Sequence, residues 1–125
     1  DDRVFVIVDG AMNDLIRPAL YDAVHRIETV REPATDGALQ DWDVVGPVCE
    51  TGDTFAKGCQ LPALSEGALL VMRDAGAYGA VMSSVYNSRA LVAEVLVHDD
   101  SFAVVRARQE PATFMGYETL ADWQN

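Results

Sequence analysis

The sequence contains few of the residues that crosslink small proteins or bind metals. Of its 125 residues only Cys49 and Cys59 are cysteines, and they form neither a CxxC pair nor a group with a nearby histidine. Disulfide scaffolds and zinc sites need more cysteines or closer spacing. We therefore expect two reduced thiols, no disulfide framework and no metal site.

Positive charge and long apolar runs are also scarce. Nine Lys and Arg residues stand against 20 Asp and Glu residues, which gives a net charge of −11 that would repel nucleic acid and anionic lipid. The longest apolar runs, at residues 4–8 and 68–72, are far shorter than the roughly 20 residues that a membrane helix needs. The first residues also lack the pattern of a secretion signal. We expect a cytoplasmic protein with neither nucleic acid nor membrane as a partner.

The hydrophobic pattern predicts one mainly β domain over residues 1–125. Strands are predicted at residues 4–8 (buried), 42–45, 68–72 and, from an alternating pattern, 81–86, and a hairpin joins residues 93–97 to 102–107 through Asp99-Asp100. Residues 33–37 are typical of a turn, and residues 51–67 have no clear period. These features favour a Greek-key-like β-barrel or sandwich.

Two short peripheral helices complete the predicted fold. Helical spacing of apolar residues predicts the first over residues 13–27, with Asn13, Asp14 or Arg17 as its cap and Pro18 in its first turn. The second would follow a Thr113 cap and extend to about residue 121.

Several polar side chains are candidates for a site. Arg17 and Tyr21, four residues apart on one helical side, could converge on a carboxylate, although a solvated arginine beside a core tyrosine fits the same spacing. Cys49-Glu50 follows the rigid Gly46-Pro47 turn and could offer a proton donor and a partner for an ammonium group, or Cys49 could be a small buried residue. Tyr78 lies between glycines that would let a ligand approach the backbone, or it packs on a turn.

Four segments in order carry a family resemblance: DGAMNDLIRPALY (residues 9–21), GPVCETGD (46–53), DAGAYG (74–79) and MSSVYNSR (82–89). With the hairpin and the tail, the chain resembles the C-terminal β-domain of diaminopimelate decarboxylases, which are fold-type III pyridoxal-phosphate enzymes related to alanine racemase and ornithine decarboxylase. It departs from their pattern at Ala11 (usually Gly), at Val85 (usually Asn), and after Arg89, where prolines are usual.

The resemblance implies roles for five residues in a lyase of lysine biosynthesis. Positions matching Arg17 and Tyr21 grip the distal carboxylate of the amino-acid substrate. The position matching Cys49 donates a proton after carbon dioxide departs, and the position matching Glu50 binds the distal amino group, both from a loop that reaches the neighbouring subunit of a homodimer. The position matching Tyr78 contacts cofactor and substrate.

The resemblance also implies a second domain. In the family, an N-terminal (β/α)8 barrel carries the cofactor lysine and phosphate cradle. Lys57, the only lysine here, does not match that lysine. We expect the 125 residues alone to be inactive. Alternatives are a related decarboxylase acting on ornithine, arginine or carboxynorspermidine, or a dimerisation module without catalysis. The Cys-Glu pair together with Arg17 favours diaminopimelate.

Overall fold

The computed structural model describes residues 3–31 and 38–124 of the chain. The seven strands in these ranges are β1 (Phe5–Ile7), β2 (Ile27–Thr29), β3 (Gln40–Val45), β4 (Thr54–Leu61), β5 (Leu70–Met72), β6 (Glu94–His98) and β7 (Ser101–Arg106). The helices are α1 (Arg17–Tyr21), α2 (Gly76–Met82) and α3 (Pro111–Met115), and single 3₁₀ turns lie at Tyr86–Ser88 and Asp122–Gln124. None of the helices in the two described ranges has the length and apolar character needed to cross a membrane.

The largest sheet has three strands in the order β1-β3-β4. Strand β1 runs parallel to β3, and β3 pairs antiparallel with β4. Between the pairs Val44↔Ala56 and Trp42↔Cys59, two residues of β4, Lys57 and Gly58, face the single residue Asp43. This is a β-bulge, and Gly58 fits it because its φ of +61° lies in the left-handed region that glycine adopts without strain.

The other four strands form two smaller sheets. Strands β2 and β5 pair antiparallel, and β6 and β7 form the antiparallel hairpin. The hairpin matches the prediction closely, with Asp99 in the left-handed conformation at its turn (φ 48°). The predicted mainly β class is thus confirmed, whereas the strands of the two described ranges form three small mixed sheets and no closed barrel.

The hydrophobic core lies between the first two sheets and the segment that precedes α1. Its buried members are Leu15, Ile27, Val44, Phe55 and Leu61. Because these residues come from a loop and three strands, their burial ties the start of α1 to the main sheet.

Five sequence predictions about the fold are corrected by the structure. The first helix stops at Tyr21 instead of reaching Ile27, because Asp22 adopts a left-handed conformation (φ 54°) and Ile27 is buried in β2. Residues 51–67 are not irregular, since they contain the eight-residue strand β4. Strand β1 is an edge strand and not a buried one, with Ile7 70% exposed.

The fourth correction concerns residues 81–86, which form the end of α2, a short connecting segment and the first residue of a 3₁₀ turn, and not a strand. The tail helix is shorter and earlier than predicted, because it begins after Glu110 and not after Thr113, and ends at Met115. The turn predicted at residues 33–37 falls outside the described residues.

Candidate functional site

Arg17 and Tyr21 are the first and last residues of α1. Pro18 is tolerated there because the first helical positions need no backbone N–H, and Asp22 closes the helix by donating its N–H to the carbonyl oxygen of Arg17. With a separation of four residues, both side chains project from the same side of the helix. Arg17 is half-buried, whereas Tyr21 is 60% exposed.

Tyr78 lies on α2 and contacts Arg17. The Arg17 guanidinium carbon lies 5.5 Å from the centroid of the Tyr78 ring, a cation–π arrangement. The flanking glycines do not form the open turn that the sequence suggested, because Gly76 and Gly79 are both helical. Gly79 lies where α2 faces the segment before α1, and an added Cβ would make an ordinary contact of 3.9 Å with Leu15 Cδ1.

Cys49 and Glu50 lie on a tight loop, here called the 46–53 loop, between β3 and β4. Gly46 N–H donates to Asp53 O at 2.9 Å, and Glu50 N–H donates to Val48 O at 2.7 Å, so the loop folds back on itself. Both Cys49 and Glu50 are exposed to solvent. Exposure does not fit the alternative in which Cys49 is a small buried residue.

The second cysteine has a different environment. Cys59 is partly buried on β4, and burial raises the pKa of its thiol, which favours the protonated form. Of the two thiols, only Cys49 is therefore presented on the surface next to another functional group, Glu50.

Asp53 is a residue of this loop to which the sequence assigned no role. Its side chain is buried, and its two oxygens accept the N–H groups of Met12 and Val48, each at 2.7 Å. Gly52 packs beside it, where an added Cβ would lie 3.6 Å from Met12 Cε and 3.9 Å from Ala19 Cβ. The 46–53 loop is thus fixed against α1 and the turn before it. The only sequence signal was the position of Asp53 at the end of GPVCETGD.

Asn13 and Arg89 connect two other motifs and were also missed. Asn13 is almost fully buried and does not cap α1. Its side-chain Nδ2 donates to Ser84 O at 3.2 Å, and its backbone carbonyl oxygen accepts the Ser84 N–H at 2.9 Å. Arg89 Nη2 donates to Asp9 O at 2.5 Å. These bonds attach residues 84–89 to the turn that precedes α1.

The five predicted site residues therefore form two groups on one chain. Arg17, Tyr21 and Tyr78 lie together on α1 and α2, while Cys49 and Glu50 occupy the adjoining loop. Glu50 lines a cleft of about 440 Å³ between that loop and the main sheet, together with Asp43 and Lys57. Within the described ranges, no hydrogen bond or ion pair links Cys49 or Glu50 to Arg17.

Chemically, the first group offers an aromatic surface, a phenol and a half-buried cation, which suit a carboxylate ligand. The second offers an exposed thiol next to an exposed carboxylate, which suit proton delivery and an ammonium ligand.

The sequence matches the family described as pyridoxal-dependent decarboxylase, C-terminal sheet domain, over residues 1–76.

Individual relatives agree with this family match. The chain is 54% identical over 120 residues to a diaminopimelate decarboxylase of Pseudomonas fluorescens and 49% identical over 119 residues to one of Zymomonas mobilis. These alignments cover 96% and 95% of this chain, and it spans 28% of the length of each relative.

A solved structure shows the same likeness in three dimensions. The crystal structure of diaminopimelate decarboxylase from Helicobacter pylori complexed with L-lysine matches with a TM-score of 0.83 and 41% identity, over 90% of this chain and 27% of that one. From the family match and these likenesses, we conclude that the chain belongs to the C-terminal sheet domain family of pyridoxal-dependent decarboxylases.

Proposed function

We propose that this chain is the C-terminal domain of a pyridoxal-phosphate-dependent diaminopimelate decarboxylase, which converts meso-2,6-diaminopimelate to L-lysine and CO2. The observation that carries the proposal is the contact of Arg17 with Tyr78. These residues come from two motifs that are 61 positions apart, yet they meet at the surface in an arrangement that could receive a carboxylate.

In this proposal, Arg17 and Tyr21 bind the distal carboxylate of the substrate. The Tyr78 ring lies against the guanidinium, whose N–H groups could then make a planar, two-point bond to the carboxylate. The Tyr21 hydroxyl can add a third donor. A substrate that lacks the distal carboxylate would leave the half-buried arginine charge without its partner.

Cys49 and Glu50 would act at the opposite end of the reaction. A thiol can donate the proton that replaces carbon dioxide, and a carboxylate pairs with the distal ammonium of the substrate. Because both side chains are exposed and have no bond to Arg17 within the described residues of one chain, we propose that they serve the site of a second copy in a homodimer.

Pyridoxal phosphate supplies the electron sink for the decarboxylation when it is bound. The exposed Tyr78 phenol fits a contact at one side of the cofactor. Lys57 does not fit the anchoring lysine, because it lies on the bulge of β4 and lines the cleft beside Asp43, which Tyr78 does not line. We therefore propose that the lysine and the phosphate cradle belong to an N-terminal (β/α)8 barrel.

The same partner would complete the β-domain. The edge strand β1 leaves Phe5 and Ile7 largely exposed beside an apolar cleft of about 690 Å³, and the hairpin exposes Val97 and Phe102. Such surfaces are costly in water and typical of contacts with another domain or subunit. We propose that the sheets close into a barrel when the N-terminal domain packs against these surfaces.

The test uses the intact protein, meaning this chain joined to the proposed barrel, with pyridoxal phosphate. Release of CO2 from meso-diaminopimelate should exceed release from ornithine, arginine or carboxynorspermidine, and the 125-residue chain with the same cofactor should release none. Preference for one of the other amino acids would point to a related decarboxylase. No decarboxylation together with a stable self-dimer would support the dimerisation module instead.

A further inference from the structure

One buried carboxylate joins the two halves of the site. Asp53 is 3% exposed, and its Oδ1 accepts the N–H of Met12 at 2.7 Å while its Oδ2 accepts the N–H of Val48 at 2.7 Å. Both are short, charge-assisted bonds, which are stronger than bonds between neutral groups. Each oxygen of this carboxylate is therefore committed to a different segment of backbone.

The two segments carry different functional side chains. Val48 directly precedes Cys49 and Glu50, and Met12 lies in the turn that leads into α1 and Arg17. The backbone of Asp53 also accepts the N–H of Gly46, which closes the base of the loop. The Asp53 side chain thus links the loop that carries Cys49 and Glu50 to the turn that leads into α1.

We propose that Asp53 is a positioning residue: its carboxylate holds the 46–53 loop at a fixed distance from α1, so that Cys49 and Glu50 reach their reacting positions. This inference rests on the function proposed above. Asp53 itself is buried between backbone segments, so its carboxylate is not open to a ligand from solvent. It acts by restricting the loop, and displacements of about 1 Å in such positions can lower rates about a hundredfold.

Gly46 supplies an independent way to disturb the same contact. A Cβ placed on Gly46 would overlap both carboxylate oxygens of Asp53, so glycine is required there for space. Gly46→Ala would displace the carboxylate without removing its charge. Asp53→Asn would keep the size of the side chain but would leave only one oxygen to accept the two N–H groups.

Matched controls exist for both changes. Asp43 is likewise a buried aspartate that accepts a backbone N–H, that of Gly58 at 2.9 Å, but it stabilises the β4 bulge and not the loop. Gly10 has open space around its Cβ position, so Gly10→Ala adds a methyl group without overlap. Asp43→Asn and Gly10→Ala therefore control for loss of a buried charge and for a glycine substitution.

The four variants are made in the intact protein and compared by two measurements. Hydrogen exchange followed by mass spectrometry reports on the peptides that contain Met12 and Val48. The rate of CO2 release from meso-diaminopimelate, normalised to folded protein, gives kcat and KM. We expect Asp53→Asn and Gly46→Ala to speed exchange in both peptides and to lower kcat/KM at least about tenfold. Gly10→Ala should change neither, and Asp43→Asn, which lowers overall stability by weakening the contacts with Gly58 and Arg3, should leave kcat/KM per folded protein near the wild-type value.

Each outcome decides something. Unchanged exchange in Asp53→Asn and Gly46→Ala, or faster exchange with unchanged kcat/KM, would overturn the positioning role. Equal losses in Asp53→Asn and Asp43→Asn would also overturn it and indicate general destabilisation. If Asp53→Asn does not fold, Gly46→Ala makes the same comparison. If the wild-type protein does not decarboxylate diaminopimelate, the proposed function fails, but the exchange data still test whether Asp53 holds the loop.

Discussion

Replacement of Gly79 by alanine tests the helix that presents Tyr78. An alanine in a helix interior is favoured over glycine by about 1 kcal/mol. Gly79 is buried, and the new Cβ would lie 3.9 Å from Leu15 Cδ1 and 4.0 Å from Asp14 O, which are ordinary contacts. Burial of the methyl group can add up to about 0.8 kcal/mol. We expect Gly79→Ala to raise the free energy of unfolding by about 1 to 1.5 kcal/mol in total.

The assay is equilibrium unfolding in urea, followed by circular dichroism, with thermal unfolding as a second measure. For a chain of this size the gain corresponds to an increase in Tm of about 3 to 6 °C. Gly58→Ala provides the contrast, because Gly58 has a φ of +61° at the β4 bulge and alanine should cost about 1 to 2 kcal/mol there. Destabilisation by Gly79→Ala would refute the helical environment of Tyr78 and with it the geometry of the Arg17 contact.

Two further predictions concern recognition and pH. Arg17→Lys should lower kcat/KM for diaminopimelate about tenfold or more in the intact protein, because a lysine beside Tyr78 cannot make the planar two-point bond. Steady-state kinetics measure this ratio, and an unchanged kcat/KM would contradict the role of Arg17. The hydrogen bond from the Gly58 N–H and the charge of Arg3 lower the pKa of the Asp43 carboxyl group in the folded protein. The ionised Asp43 therefore stabilises the fold above the usual carboxyl pKa of about 4, and this stabilisation is lost as the pH falls through the lowered pKa of the folded state. Asp43→Asn should therefore be less stable than wild type at pH 6, with a difference that shrinks in acid and that urea unfolding at several pH values would measure.

The elements that sequence predicted well are those set by local chemistry. The hairpin of β6 and β7 has strand-forming residues on both sides of Asp99-Asp100, and Asp99 can adopt the left-handed turn conformation. Pro18 lies in the first turn of α1, as predicted, because proline fits the first helical turn, although the helix begins at Arg17 and not at Asn13.

The errors came from residues whose role depends on distant partners. Ile27 fits a helical period, but it pairs with Met72 in β2 and β5, and this burial overrides the helical pattern. Gly58 suggested an irregular segment, whereas it forms a bulge opposite Asp43 in a long strand. Such pairings join residues far apart in sequence and leave no local period.

The candidate site shows the same division. The motifs identified Arg17, Cys49 and Tyr78 by type and order, but the contact between Arg17 and Tyr78 depends on how α1 and α2 pack. Asp53 was overlooked because a buried aspartate that serves two backbone N–H groups has no sequence pattern of its own.

The most direct test of the account is Cys49→Ala in the intact protein with diaminopimelate as substrate. If the exposed thiol delivers the proton, kcat should fall by about a hundredfold or more while KM changes little, because general acid catalysis acts on the reaction and not on substrate binding. Equal effects on kcat and KM, or an unchanged kcat, would contradict the account.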